Sequence, residues 1–204
     1  MATPTDPGLD DKPATSRDQK KAERREQLLQ AAASLFAERG FSSVRLEDLG
    51  AAVGISGPAV YRHFSGKEAV LVELLVGISQ YLLDGGRAVV DEHAPSDATV
   101  ERLIDFHLDF AFASPALIRI QDRDLESLPE TPRRSVRRKQ REYVELWVSA
   151  LCDADATLGE SDARTKAHAV FGLINSTPYS AGRSPSKQTR PLLRDMVFGA
   201  LRLD

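Results

Sequence analysis

The stretch Gly54-Ile-Ser-Gly-Pro-Ala-Val-Tyr-Arg-His-Phe-Ser-Gly-Lys-Glu68 places three glycines and a proline around a short segment holding Tyr61, Arg62 and His63. Glycine and proline usually end helices, but here each falls where a helix can begin. Gly54 supplies a tight turn, Ser56 stands at an N-cap, and Pro58 lies in a first turn, where its missing N–H has no intrahelical partner to lose. A short helix over residues 57–64 is therefore expected, followed by a longer one that opens at Ser65 and Glu68, which have capping-box spacing.

Upstream, Leu28, Leu29, Ala32, Leu35 and Phe36 recur with the 3.6-residue period of an amphipathic helix over residues 19–39, which Gly40 stops. A second helix fits residues 46–53, with Leu46, Leu49 and Val53 on one face and Ser43 or Val44 near its cap. Two short helices joined by Gly-Ile-Ser have the form of a helix-turn-helix, whose second helix enters the DNA major groove. The slim leading edge Gly57-Pro58-Ala59 lets backbone approach base edges, and Pro58 and Ala59 suit a thymine methyl. Arg45 and Arg62 are the nearby side chains able to bond guanine bidentately. Tyr61, His63 and Lys67 carry donors suited to phosphate, and the free N–H groups opening the next helix add an anion site near Lys67. Taken singly, each residue also fits a core aromatic or a solvated charge; their order and spacing favour DNA.

Downstream, the connecting helix continues to Gly85-Gly86, which are expected to end it. Five further helical segments follow, divided by Pro95, Pro115, Pro129, Gly159 and residues 177–186. The fold class is all-α, with about nine helices. Residues 1–18, rich in Pro, Asp, Thr and Ser, read as a disordered tail, residues 19–66 as a helix-turn-helix domain and residues 67–204 as a helical body.

The 204 residues carry a net charge of −3, but unevenly. Residues 19–67 hold eight basic and five acidic groups, whereas residues 68–204 hold seventeen and twenty-one. A mildly basic unit thus precedes an acidic remainder, as a local nucleic-acid surface would require. The single cysteine, Cys152, excludes an intrachain disulfide and fits a reducing, cytoplasmic setting, with no apolar run expected to reach a membrane span of roughly 20 residues. His63, His93, His107 and His168 are scattered, no HExxH, GxSxG or glycine-rich phosphate loop occurs, and Asp91-Glu92-His93 reads as a solvated loop. An enzyme is not expected, nor a metal or other cofactor. The basic run Arg133, Arg134, Arg137, Arg138, Lys139 and Arg141 reads as a solvated helix face.

The run from Leu28 to Leu71, with Phe36, Gly40-Phe41, Leu49-Gly-Ala-Ala-Val-Gly-Ile-Ser56, Tyr61-Arg-His-Phe64 and Lys67-Glu68, resembles the DNA-binding domain of TetR-family transcriptional regulators. It departs from that pattern at Val44, where a capping Thr is usual, and at Gly57-Pro58-Ala59. The resemblance implies phosphate contacts from Tyr61, His63 and Lys67 and a base-facing surface of Arg45 and Gly57 to Ala59, with Ser56 and Arg62 completing the expected DNA-binding set. Lys20, Lys21, Arg24 and Arg25 are candidates for further backbone contacts. It also implies a homodimer formed through the last two helices, with Val170, Phe171, Ile174, Leu193, Met196 and Val197 in the seam and Gly172 and Gly199 allowing close approach. An effector pocket is expected among Phe106, Phe110, Tyr143 and Trp147, with Arg119 and Arg123 facing an anionic group such as an acyl-coenzyme A or a lipophilic carboxylate. The expected function is repression at a near-palindromic operator, relieved when a small molecule moves the connecting helix. The alternative is a chromosome-organising DNA-binding protein without a small-molecule effector.

Overall fold

The computed structural model describes residues 16–180 and 188–201, and every regular element among them is helical. Of the expected tail, residues 1–15 lie outside the described residues, while residues 16–18 already belong to α1, Ser16–Arg39. Leu28, Ala32 and Phe36, spaced four apart, form the buried stripe of α1. The helix ends at Gly40, whose φ of 85° lies in the left-handed region. A 3-10 turn, Phe41–Ser43, leads to α2, Leu46–Ala52.

The cap of α2 is neither Ser43 nor Val44. Val44 is fully buried and its side chain has no acceptor to offer, and Arg45 occupies the cap position, its N–H donating to Asp48 Oδ2 at 2.8 Å. Gly54, with φ 71°, makes the turn that follows. Helix α3 covers Gly57–Val60 and is shorter than expected. Beyond it the chain continues in tight turns, with Arg62 N–H bonded to Ala59 O and His63 N–H to Val60 O. Ser56 is the N-cap residue but its hydroxyl makes no capping bond, and α4 is capped by Gly66 rather than by a Ser65–Glu68 box.

Helix α4, Lys67–Asp91, does not stop at Gly85-Gly86. A Cβ on Gly85 would lie 2.1 Å from the Phe106 ring, and one on Gly86 would lie 2.6 Å from the Tyr143 ring. These glycines make room for aromatic side chains of two other helices. By length and composition α4 could cross a bilayer, with a mean hydropathy of 1.3 over 18 residues, contrary to the expectation that no run would. Its apolar residues Val70, Leu71, Leu75, Ile78, Leu82 and Leu83 are buried in the cores described below.

The body adds α5 (Ser96–Ala113), α6 (Pro115–Asp124), a 3-10 turn (Leu125–Ser127), α7 (Glu130–Ala154), α8 (Glu160–Asn175), a four-residue α9 (Thr177–Ser180) and α10 (Thr189–Leu201). Two cores result. One joins α1, α2, α3 and the start of α4 to Ile120 of α6, to Leu128 before α7 and to Val136 on α7. The other gathers the end of α4 with α5, α7, α8 and α10. Burying one large aliphatic side chain contributes about 1.5–3 kcal/mol, so the three residues lent by the body bind the N-terminal unit to it firmly.

Candidate nucleic-acid interface

The turn after α2 and the segment from Ser56 to His63 present several exposed residues. Arg45, Ser56, Pro58, Tyr61 and Arg62 are exposed, Gly57, Ala59 and His63 are half-buried, and Val60 and Phe64 point into the core. Tyr61 is 58 % exposed, although it is a large aromatic ring. Gly57 is constrained by its neighbour: a Cβ there would come within 3.1 Å of Glu47 Cγ on α2. Beside this segment, Arg17, Asp18, Lys20, Lys21, Arg24, Arg62 and His63 line a groove of about 570 Å³. Five of its seven residues are Lys or Arg, which makes it an anion-attracting surface.

His63 lies among these cations. Burial, and after it the charges of Lys21, Arg25, Arg24 and Arg62, lowers its pKa below the usual histidine value, which favours the neutral ring. Its Nδ1 is buried without a hydrogen-bond partner, so only Nε2 can serve a phosphate.

Three basic residues expected at the DNA surface also donate to acceptors within the chain. Lys67 Nζ donates to the carbonyl oxygens of Phe41, Ser42 and Val44 at 3.0, 3.2 and 3.1 Å. Arg24 Nη1 donates to Val53 O at 3.0 Å. Arg25 donates to both carboxylate oxygens of Glu73 and to His63 O, and its guanidinium lies 4.1 Å over the Phe64 ring. Lys67 thus has three carbonyl acceptors within the chain itself.

In the body, Phe110, Tyr143 and Trp147 do come together, with Phe106 at the edge beside Tyr81. Trp147 is 0 % exposed, and the cluster is closed packing around His107, which belongs to none of the expected sites. His107 is buried at its centre, with Nδ1 3.2 Å from Tyr143 Oη and Nε2 3.2 Å from Asn175 Oδ1. The Phe171 ring sits 4.9 Å from the imidazole. Burial lowers the His107 pKa to about 4, so this polar core is uncharged. A signal was present: His107 stands in the apolar stripe Leu103, Ile104, Leu108 and Ala111 of α5.

Arg119 and Arg123 do not face this core. Arg119 donates to Pro178 O and lies over the Tyr179 ring. Arg123 is held by the buried Asp124 and donates to Phe36 O and Ala37 O at the end of α1. The basic run of α7 is largely paired: Arg133 and Arg137 with Glu126, Arg134 with Glu130, and Arg138 with Glu142.

Of the six residues expected in a dimer seam, only Met196 faces outward, 49 % exposed. Val170, Ile174, Leu193 and Val197 are buried in the chain's own core, and Phe171 packs on His107. Helices α8 and α10 pack on each other within the chain and turn that apolar face inward. Their outer face carries Ala169, Gly172, Leu192, Met196 and Gly199, where a Cβ on either glycine would meet nothing within 4 Å.

Residues 28–74 match the family described as bacterial regulatory proteins, tetR family, and residues 93–179 match the tetracyclin repressor-like C-terminal domain. The HTH-type transcriptional repressor KstR2 of Rhodococcus jostii (strain RHA1) is 30% identical over 164 residues, covering 80% of each chain. This chain belongs to the TetR family. A TetR-family regulator from Bordetella parapertussis superposes with a TM-score of 0.77 at 26% identity, over 87% of this chain and 93% of that one. The nucleoid occlusion factor SlmA of Vibrio vulnificus (strain YJ016) is 32% identical over 102 residues, 50% of this chain and 52% of that protein. The TetR-family match places the exposed Ser56–His63 edge in a DNA-binding transcriptional regulator.

Proposed function

We propose that the chain is a dimeric repressor that reads a near-palindromic operator with Arg45 and the Ser56–Arg62 edge and is released by a small molecule. The observation that carries this reading is the exposure of Arg45, Pro58, Tyr61 and Arg62 around the helix-turn-helix, with Arg62 also lining the groove of Arg17, Lys20 and Lys21. Arg45 and Arg62 would contact bases, while Tyr61, His63 through Nε2, and the groove cations would hold phosphates. The outer face of α8 and α10 would form the dimer, setting the two edges about one DNA turn, roughly 34–36 Å, apart. The relative in Rhodococcus jostii is named a repressor, which supports that sense of regulation.

The effector would enter the aromatic core of α5, α7 and α8 and take over the partners of His107, Tyr143 and Asn175. Because that core is uncharged and Arg119 is turned to Pro178, the fitting molecule has an apolar frame with a neutral polar group, rather than a buried carboxylate. A second reading, chromosome organisation without an effector, is favoured by the likeness to SlmA over half the chain. Binding to sheared genomic DNA followed by sequencing separates the two. A few promoter sites sharing an inverted repeat support the regulator; many dispersed sites would overturn it.

A further inference from the structure

We propose that Tyr143 is the residue through which the polar core of the body acts on the connecting helix α4, with Gly86 as its seat; this deepens the effector reading above and rests on it. A helix interior disfavours glycine more than any residue but proline. Helix α4 nevertheless carries Gly85-Gly86 without a break. With no Cβ at either position, a ring from α5 and a ring from α7 lie directly on the helix backbone.

The two rings are held differently. Phe106, on Gly85, is half-buried with its ring 5.6 Å from that of the exposed Tyr81, so it has solvent to turn into. Tyr143, on Gly86, is buried, and its ring stacks against those of Phe171 and His107 at 5.6 and 5.8 Å. Its hydroxyl is tied as well. His107 Nε2 faces Asn175 Oδ1, an acceptor, and so carries the proton; Nδ1 then accepts from the Tyr143 hydroxyl at 3.2 Å. One side chain therefore has its hydroxyl on His107 and its Cδ2–Cε2 edge against α4. An effector group that takes the hydroxyl from His107 turns this ring, and in a close-packed interior a turning ring pushes on the backbone it rests on. Helix α4 carries the displacement to the other core, where Val70, Leu71 and Leu75 near its start pack with α1 to α3.

A methyl group can imitate the turned ring. In Gly86→Ala a Cβ would stand 2.6 Å from Tyr143 Cε2, against about 3.5–4.0 Å for carbon atoms in contact, so ring and helix must part by about 1 Å. Spin labels at Ala52→Cys and Ala156→Cys, both exposed, report the distance from the N-terminal unit to the body by pulsed dipolar spectroscopy. The background is Cys152→Ser, without DNA, diluted in unlabelled protein so that only distances within one chain count. Gly86→Ala should shift this distance by about 1 Å or more. Gly86→Ala/Tyr143→Leu, which removes the ring, should return it to the value of Tyr143→Leu alone. Tyr143→Phe creates no clash and loses only the bond to His107; it should broaden the distance distribution. Gly77→Ala makes the same change at a position of α4 where a Cβ meets nothing within 4 Å, and should leave the distribution unaltered.

The unlabelled variants are then titrated against a duplex that the wild-type protein selects from a randomised pool. Gly86→Ala should bind about 5–150-fold more weakly, the range of a typical coupling between sites, and the double variant should recover to the affinity of Tyr143→Leu. A wild-type distribution in Gly86→Ala or in Tyr143→Phe, or a shift that persists in the double variant, would overturn the proposal. The spectroscopic measurement contains neither DNA nor effector. Distances that shift and return while DNA binding stays level would therefore uphold the coupling and count instead against the repressor reading.

Discussion

The N-terminal unit and the helical body solve the problem of buried polar groups in opposite ways. Around α1 to α3 the core is aliphatic and aromatic, and the polar work lies at helix ends, where Arg24, Arg25, Lys67 and Arg123 satisfy backbone carbonyls. In the body, the helix interiors themselves hold polar side chains: His107 bonds both Tyr143 and Asn175 inside a ring of Phe110, Trp147 and Phe171. The first arrangement immobilises a surface that must match a rigid duplex. The second contains bonds between side chains that an incoming molecule can replace one for one, which is what a two-state response needs.

The largest effect that would separate the two regions comes from Trp147→Ala. Truncating a fully buried tryptophan costs about 3–5 kcal/mol when the site cannot collapse. Because Trp147 is the chain's single tryptophan, unfolding is followed by circular dichroism in urea rather than by fluorescence. A destabilisation below about 1 kcal/mol would mean that the body's core is already loosely packed and the contrast is wrong.

Acid should distinguish the regions next. The folded-state pKa of His107 is about 4, against 6.5 for an ordinary histidine. The unfolded chain therefore takes up this proton first as pH falls. The stability due to keeping the ring neutral is complete above pH 6.5 and is lost on descending from there to about pH 4. The size of the effect is about 3 kcal/mol. His107→Leu should remove that share of the acid sensitivity, read as the difference between wild-type and variant urea midpoints at about pH 7 and about pH 5. Equal midpoint shifts in both proteins would show that the ring is not held neutral by the fold.

A smaller effect, opposite in sign at two glycines, tests the geometry of the reading unit. Neither Gly54 nor Gly77 would bring a Cβ within 4 Å of other atoms. Yet Gly54 has φ 71° and Gly77 lies inside α4. Gly54→Ala should lower stability by about 1 kcal/mol, whereas Gly77→Ala should raise it by about 0.5–1 kcal/mol. Thermal unfolding of the two variants checks both signs.

The N-terminal unit was readable in the sequence because local rules govern it: a turn glycine, a first-turn proline and an apolar period each act within a few residues. The all-α class and the exposed edge followed from these. What was misread depended on distant partners. Gly85-Gly86 looked like a helix stop, since nothing near them in sequence announces the Phe106 and Tyr143 rings. The carbonyl partners of Lys67, 23 to 26 residues back, were likewise announced by nothing near it in sequence. Val170, Ile174, Leu193 and Val197 looked like a dimer seam, since an apolar face does not say whether its cover comes from the same chain. His107 was within reach, as a polar residue in an otherwise apolar stripe.

The smallest predicted effect on stability is at the reading edge. Tyr61 is mostly solvent-exposed and its ring has no place in either core, so Tyr61→Phe should leave the melting temperature unchanged. In the proposed reading its hydroxyl donates to a phosphate oxygen, a sequence-independent partner. Removing one such bond costs about 1 kcal/mol, or roughly fivefold in affinity for each subunit. That weakening should be the same on every duplex tested, whereas Arg45→Ala, if Arg45 reads a base, should weaken some sequences and spare others. Binding of both variants to a randomised duplex pool, sequenced after selection, measures the two patterns together. A Tyr61→Phe protein that selects a different sequence logo would move Tyr61 from phosphate to base contact and would leave Arg62 as the neighbouring residue that holds the backbone.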